Sequence, residues 1–554
     1  MLDRTDPKVV VGTASLACYL IYKNFEPNNV PAHAALLLGV PALLVYALGA
    51  QLSPLQRAAV FAAHWALLLA CTAAYRLSPL HPLAQYPGPA HAKLSNITRA
   101  YLSARGDIYR VIRAWHDQYG DVVRIGPNEL SFRTVDALQP VYNKEYTQKG
   151  PYYDSRTTPE GLTQIDGLRD FAVHGARRKP WIKAMSSTSL KNFEPIVKMK
   201  AQELVDELAK RQGQEIDISE WMHYFGFDFM GHLAFGRELG LLKKGKDHEG
   251  MIQIIEEGIY GAGVISHMPW LLPFVACFPP LLKGLRKVQN MGRNFASERL
   301  AKGSTSKDIY YFMTEDEGAS QPRFTQEEIE ADGMVAIVAG SDTTTTVLSN
   351  VCYFLLRHPA CAARLRAEID ATFPPGEDAM DFARQAEMPY LNACINEALR
   401  LLPPGLGGFQ RTVKRGTGGV MVGPHFVPER TQISVHTFAT MRDAREFRPL
   451  PDTFWPERWL AQDAYVLPGG GVVGREQVHT NRAAHIPFSA GPQNCAGKAL
   501  ALVELRAVTC ALVHRFELHT PKGYDLDQWE RDLKDLYVAM RGKLPVILEV
   551  RKGH

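Results

Sequence analysis

Hydrophobic and polar positions divide the chain into an apolar head and a longer body of mixed patterns. Val9 to Tyr22 is apolar for about 14 residues, short of the ~20 that a membrane span needs. Pro31 to Ala50 and Ala58 to Tyr75 contain no Asp, Glu, Lys or Arg, and each approaches spanning length. Their succession ahead of a proline-rich break favours membrane insertion, with two or three spans, over a buried core hairpin. The apolar blocks run too far for a cleaved signal peptide. Flanking Arg4, Lys8, Lys23, Arg57 and Arg76 are too evenly spread to set an orientation. Residues 1–77 therefore read as a membrane-anchor region.

Ser78-Pro-Leu-His-Pro-Leu-Ala-Gln-Tyr-Pro-Gly-Pro89 cannot continue a helix, so residues 78–90 are expected to be a semi-rigid linker. In the body, 91–554, Thr98 to Tyr119 is helical in pattern. Val122 to Phe132 alternates around Gly126-Pro-Asn128, which signals a hairpin. Long helical patterns dominate from there, so the expected class is mainly α with a small β component. Gly258 to Leu282 is dense in apolar residues interrupted by Pro and Gly. It reads equally as core or as a loop dipping into a bilayer. Lys302 to Arg323 is polar and reads as a surface linker. Glu327 to Arg357 reads as one long helix whose middle carries Gly340 and four consecutive threonines, Thr343 to Thr346. These cost ~2–3 kcal/mol relative to alanine, and threonine hydroxyls can bend a helix. Asp342 in those surroundings needs a partner.

Charge narrows the partners. Lys plus Arg 62 against Asp plus Glu 58 leaves +4, too balanced for nucleic acid. Eight cysteines in 554 residues make no disulfide framework and fit a reducing compartment. One of them stands apart. In Phe488-Ser-Ala-Gly-Pro-Gln-Asn-Cys495-Ala-Gly497, a Gly- and Pro-rich loop delivers Cys495 to the start of a buried helical pattern, Ala499 to Phe516. A helix N-terminus favours the thiolate, and Gly491 and Gly497 leave room for a flat, bulky group. No second Cys lies at zinc-site spacing. His174 and Arg178 share a helix face. Glu397 and Arg400 do the same amid apolar flanks, which would bury the pair and demand a third partner. Gly469 to Gly474 satisfies G-x-G-x-x-G, but no helical pattern follows and no acid stands ~20 residues on, so it reads as a flexible loop and not a dinucleotide site.

The stretch Phe488 to Gly497 resembles the haem-binding loop of the cytochrome P-450 family, F-x-x-G-x-R-x-C-x-G. Phe488, Gly491, Cys495 and Gly497 are in register, and Gln493 stands where the family usually has a propionate-binding arginine. Three further motifs follow the family's order, so the resemblance covers residue 85 or so to the C-terminus. It implies heme b with Cys495 as axial thiolate, which pushes electron density toward O–O cleavage. His174 and Arg178 match H-x-x-x-R and become propionate contacts, with Arg411 a third. Gln493 can still donate a hydrogen bond, with weaker anchoring expected. Ala339, Gly340, Asp342 and Thr343 match A/G-G-x-D/E-T. Thr343 would then organise oxygen and protons, Asp342 would relay protons from solvent, and Ala339 and Gly340 would leave space above the iron. Arg458, in Phe454-Trp-Pro-Glu-Arg458-Trp459, would complete a structural network with Glu397 and Arg400.

The activity so implied is a membrane-bound, fungal-type haem-thiolate monooxygenase. It would use O2 to oxidise a lipophilic molecule: a terpenoid, steroid, fatty acid or xenobiotic, in secondary metabolism. No flavin or nicotinamide signature is present, so electrons are expected from an NADPH-dependent cytochrome P-450 reductase docking near Lys183 and Lys498. Cytochrome b5 is a further partner by resemblance. The expected location is the endoplasmic reticulum membrane, catalytic domain facing the cytosol. An O2-independent haem-thiolate isomerase or dehydratase, and a non-catalytic membrane haem protein, stay open. Such proteins have less need of the acid–alcohol pair that Asp342 and Thr343 form.

Overall fold

The computed structural model describes residues 6–49, 51–158, 161–303, 307–314 and 324–552. Three helices form the head: α1 (Pro7–Phe25), α2 (Val30–Leu48, with a π-turn over Ala35–Gly39) and α3 (Pro54–Leu77). A capping box starts α3: the Ser53 hydroxyl accepts from the Gln56 N–H, and the Gln56 side chain accepts from the Ser53 N–H. Among the described helices α2 and α3 are long and apolar enough to cross a membrane, and α1 is not counted with them. Buried His64 of α3 ties the three together, with Nδ1 2.9 Å from Ser15 Oγ and Nε2 3.0 Å from the Leu36 carbonyl. Leu36 lies in the π-turn, whose loosened carbonyls find partners on α3; Trp65 Nε1 donates to the next one, Leu37 O, at 2.9 Å.

The proline-rich segment is not a free tether. Leu83 and Tyr86 are buried in a satellite core with Val122, Leu130 and Phe132, and Tyr86 OH donates to Phe426 O at 2.8 Å. The helical pattern that follows breaks at Gly106, giving α4 (Ile97–Arg105) and α5 (Ile108–Tyr119). A five-stranded sheet comes next. In order it holds β1 (Val122–Gly126), β2 (Glu129–Phe132), β5 (Gln432–Val435), β4 (Arg411–Val413) and β3 (Thr147–Lys149). The expected hairpin is β1–β2, and β2 runs parallel to β5.

Helices α6 (Phe171–Ala184), α7 (Ser187–Ala209) and α8 (Ile218–Phe235) build the main core. Every residue of α8 except Glu220 and His232 is buried. Burying each of its aromatic side chains stabilises the fold by about 1.5–3 kcal/mol. The apolar stretch after α9 (Met251–Ile265) is not core. The chain bends by 107° into Pro269–Ala276, leaving Trp270, Phe278 and Leu281 46%, 61% and 69% exposed. Phe274 packs its ring against His33 of α2 at 5.1 Å, so this apolar surface adjoins α2.

Most of the polar stretch 302–323 lies outside the described residues. Its described part is not a plain surface linker: α10 (Ile309–Thr314) buries Ile309, Tyr310, Phe312 and Met313. Helix α11 (Gln326–Arg357) starts with a Thr325–Glu328 capping box and stays α-helical throughout. The helix runs unbroken through the threonines, and the hydroxyls of Thr343, Thr345 and Thr346 donate to its own carbonyls. Thr343 donates to Ala339 O at 2.6 Å and Thr346 to Asp342 O at 2.7 Å. Arg177 of α6 grips α11 through a two-pronged pairing with buried Asp332, Nε–Oδ2 2.9 Å and Nη2–Oδ1 2.7 Å. Helix α12 (Pro389–Leu401) carries the proximal carboxylate. The glycine run 469–474 ends in a strand: β7 (Val472–Gly474) pairs antiparallel with β6 (Ala464–Val466), a ribbon and not a loose loop. Helix α13 (Lys498–Arg515) follows the cysteine loop and is buried without a break from Ala507 to His514.

Candidate active site

A cavity of ≈ 390 Å³ lies between the cysteine loop and α11. Its walls take Cys495, Phe488, Gln493 and Gly497 from one side, and Ala339, Gly340 and Thr343 from the other. The sequence-predicted residues His174, Arg178 and Arg411 open onto the same space. Asp342 and Gly491 do not line it among the described residues.

The cysteine loop is pinned by backbone geometry. Ser489 and Gly491 take φ 61° and 74°. The Asn494 N–H donates to Gly491 O at 3.1 Å and the Cys495 N–H to Phe488 O at 3.0 Å. A Cβ at Gly491 would come within 2.6 Å of the Tyr142 carbonyl, so glycine there serves the turn and its neighbour rather than the cavity. Gly497 fits the sequence reading better, since a Cβ there would meet nothing nearer than Cys495 Sγ at 3.9 Å. The Cys495 thiol is exposed, but into the cavity. Burial pushes its pKa up, against the pull of the Gly497 and Lys498 N–H groups and the Arg178 charge. The helix N-terminus alone therefore does not make a thiolate, and a bound cation would have to complete it.

One edge of the cavity is strongly cationic. On α6, His174 and Arg178 lie one turn apart. Arg178 also clamps the cysteine loop, donating to Asn494 O at 2.6 Å and to its side chain at 2.9 Å. Lys149, a residue that motif reasoning missed, stands directly opposite Arg411 in the β3–β4 register. Like charges facing each other across a strand pair are destabilising, and both are buried. Lys149 donates to the Asp166 and Ile165 carbonyls at 2.6 and 3.3 Å. Burial nonetheless lowers its pKa to about 7, with Asp166 opposing and Arg411 and Arg178 adding to the drop. Burial, Lys149, Arg178 and Arg411 press His174 down to about 3, so it is neutral. The carboxylate that lines this wall, Asp166, is 3.3 Å from Arg156. Beside this cluster, both amide atoms of Gln493 are buried without a partner. Uncompensated cations and a two-headed orphan amide call for an anion with several acceptor oxygens. Haem, flat and edged by two propionates, would meet that demand, with Cys495 able to offer its sulfur to the iron. The residues fit the group.

On the other side Thr343 and Ala339 face the cavity, but Gly340 differs from expectation. A Cβ there would collide with the Met230 side chain of α8, so the missing carbon lets Met230 pack against α11. Asp342 points away toward α8 and is buried, with Oδ2 lacking a partner. Its nearest basic group is His223, Nε2 to Oδ1 3.3 Å, which motif reasoning also missed. Burial and the negative charge of Glu256 raise Asp342 to about 8. A further acid, Glu504 of α13, lines the cavity; burial holds its carboxyl well above the usual range.

Behind the loop, the expected network is complete. Glu397 accepts from Arg400 Nε and Nη2, both at 2.8 Å, and from Arg458 Nε at 3.0 Å. The Trp455 N–H at 3.1 Å and Trp459 Nε1 at 2.9 Å finish its coordination. Pro404, Gly405, Phe409 and Arg411 carry the chain along the cavity wall.

The family model described as cytochrome P450 matches residues 87–543. Cytochrome P450 monooxygenase phqL of Penicillium fellutanum is 32% identical over 466 residues, 83% of this chain and 78% of that protein. Cytochrome P450 monooxygenase nodW of Hypoxylon pulicicidum is 32% identical over 87% of this chain and 85% of its own. Tryprostatin B 6-hydroxylase of Aspergillus fumigatus is 29% identical over 98% and 96%. The crystal structure of the cytochrome P450DA haem domain has the same fold, with TM-score 0.66 at 18% identity over 81% of this chain and 93% of that one. The cysteine loop and the cationic edge thus find their setting: this chain belongs to the cytochrome P450 family, whose members bind heme b through a cysteine, and it is a monooxygenase of that family.

Proposed function

We propose that the protein oxidises a lipophilic fungal secondary metabolite at the endoplasmic reticulum membrane, drawing electrons from an NADPH-dependent reductase. Residues 1–77 anchor it, 78–90 join the anchor to the body and 91–554 do the chemistry. The observation that carries this reading is a single cavity shared by Cys495, Thr343 and the cationic edge. Haem b, when bound, supplies reductive O2 activation and transfer of one oxygen atom to the substrate.

The chain's own residues divide the remaining work. Cys495 would hold the haem iron through its sulfur. Lys149, His174, Arg178, Arg411 and Gln493 would hold the propionates, which would relieve the Lys149–Arg411 repulsion. The Thr343 hydrogen is engaged by Ala339 O, which leaves the hydroxyl's lone pairs free to hold a water by its hydrogen. Asp342, raised to about 8, keeps a proton at neutral pH and can deliver it without first drawing one from solvent. Trp181, Met185, Ile259 and Val538 give the cavity an apolar wall, suited to a substrate that arrives from lipid. The relative named for hydroxylating tryprostatin B, matched over nearly the whole chain, supports a fungal small-molecule substrate. Exposed Lys183 and Lys498 offer a basic face to an acidic reductase surface, and cytochrome b5 fits the same face.

The test is optical. Reduced, carbon monoxide-treated enzyme should show the red-shifted Soret band of a thiolate-ligated haem, and reductase with NADPH should drive O2 consumption. Cys495→Ser should abolish both. A mutant that keeps its band and turnover would refute the assignment.

A further inference from the structure

Resting on that reading, the surroundings of Asp342 assign a role to a residue outside the family's motifs. On α8, His223, Gly226 and Met230 share one face at i, i+3, i+7 spacing. That face lies on α11. A Cβ on Gly226 would collide with Thr345 Cγ2 and lie 3.3 Å from Ser341 Cα, while Met230 fills the space at Gly340. This close approach sets His223 beside Asp342, both buried at 7% and 6% exposure. The pair is near but incompletely bonded. Nε2 lies 3.3 Å from Oδ1, yet neither Nε2 nor Asp342 Oδ2 has a hydrogen-bond partner. Among the described residues the other charge acting on Asp342 is Glu256 of α9, an acid, so no guanidinium or ammonium stabilises its carboxylate. On its own helix His223 meets the ring of Phe227 at 5.9 Å. A buried acid whose basic neighbour is one imidazole has a proton source of variable charge rather than a fixed counter-ion.

We propose that His223 is a positioning residue for oxygen activation, reloading Asp342 with the proton it gives up. After Asp342 has given up its proton, the neutral imidazole takes one from solvent at Nδ1 and passes its Nε2 proton to Oδ1. That N–H bond breaks as the O–H bond forms. One proton enters for each delivered, and both side chains return to neutral.

The experiment uses the full-length, reductase-coupled enzyme with NADPH and O2 and no added substrate. Reduction of O2 to peroxide consumes one NADPH per O2, and reduction to water consumes two. His223→Phe should slow NADPH oxidation about 10-fold, below the factor of about 100 that a positioned acid contributes directly. It should also enlarge the D2O effect and move the stoichiometry toward one. His223→Gln, which keeps a hydrogen bond but cannot carry the proton, should show the same D2O effect. It also serves as the test variant should His223→Phe not fold. In resting enzyme, the infrared band of the protonated Asp342 carboxyl, identified by its loss in Asp342→Asn, should titrate at a shifted pH in His223→Phe. The double variant His223→Phe/Asp342→Asn should be no slower than Asp342→Asn alone. Unchanged rate and band in the His223 variants, or losses that multiply in the double variant, would overturn the role. A wild type that shows the thiolate band while the His223 variants behave normally sinks this inference alone; a wild type without the band sinks the functional reading beneath it.

Discussion

Two buried carboxylates flank the cavity, and their surroundings could hardly differ more. Glu397 is fully buried behind the cysteine loop and accepts from Arg400, Arg458, Trp455 and Trp459. Burial pushes its pKa up, but the two guanidiniums and the hydrogen bonds more than offset that and bring it to about 2. Asp342 is as deeply buried but meets one imidazole and a neighbouring acid, and rises to about 8. Saturating a carboxylate with fixed donors makes a joint; leaving it short of donors makes a proton carrier. The fold thus keeps its donor-saturated carboxylate on the side that holds the cysteine and its donor-poor one on the side of α11, where we propose that protons move.

The comparison breaks most visibly at the joint. Arg400→Ala would leave Glu397 buried with two of its five hydrogen bonds gone, costing about 3–5 kcal/mol, read as a lowered thermal midpoint and loss of haem-bearing protein. The pH dependence has a fixed sign. The Glu397 carboxyl is depressed from 4.5 to about 2 in the fold, so its stabilisation is full above 4.5 and disappears as pH falls toward 2. Asp342 behaves oppositely. Its pKa rises from 3.8 to about 8, so the folded state binds the extra proton and stability declines as pH climbs between those values. Asp342→Asn should flatten that decline in thermal melts, while slowing NADPH-driven turnover on the order of 100-fold. A variant with normal turnover would erase the contrast.

Smaller effects sharpen the cationic edge. Lys149→Met removes one of two facing charges and should speed haem loss to a trapping apoprotein about 10-fold, the weight of one charge-assisted hydrogen bond. Gln493→Arg should slow haem loss by a few-fold, about 1 kcal/mol, because an arginine serves the propionates better than an amide. No change in haem retention or midpoint potential would remove Gln493 from the anchor.

Local spacing made part of this readable in the chain. The cysteine loop, the Glu397–Arg400 pair and the Asp342–Thr343 pair are runs of neighbours, so their chemistry is written within a few residues. Lys149 and His223 are not. Lys149 acquires meaning from facing Arg411 across a strand pair, 262 positions away in the chain, and His223 from two helices meeting at Gly226. Propensity counts the threonines against α11, yet the helix runs unbroken and the hydroxyls of Thr343, Thr345 and Thr346 donate to its own carbonyls. Gly340 misled as well: the space it frees is already taken by Met230.

Leu83 and Tyr86, seated between the anchor and the sheet, bear on how the body sits in its cell. A chain moored by a wedge cannot tumble on a cord, so the outward Trp270 and Phe278 keep a constant attitude toward α2 and α3. Soluble versions cut after residue 90 would forfeit the wedge along with the spans, exposing Val122 and Leu130 beneath it. Trimming at residue 78 instead keeps that patch sealed.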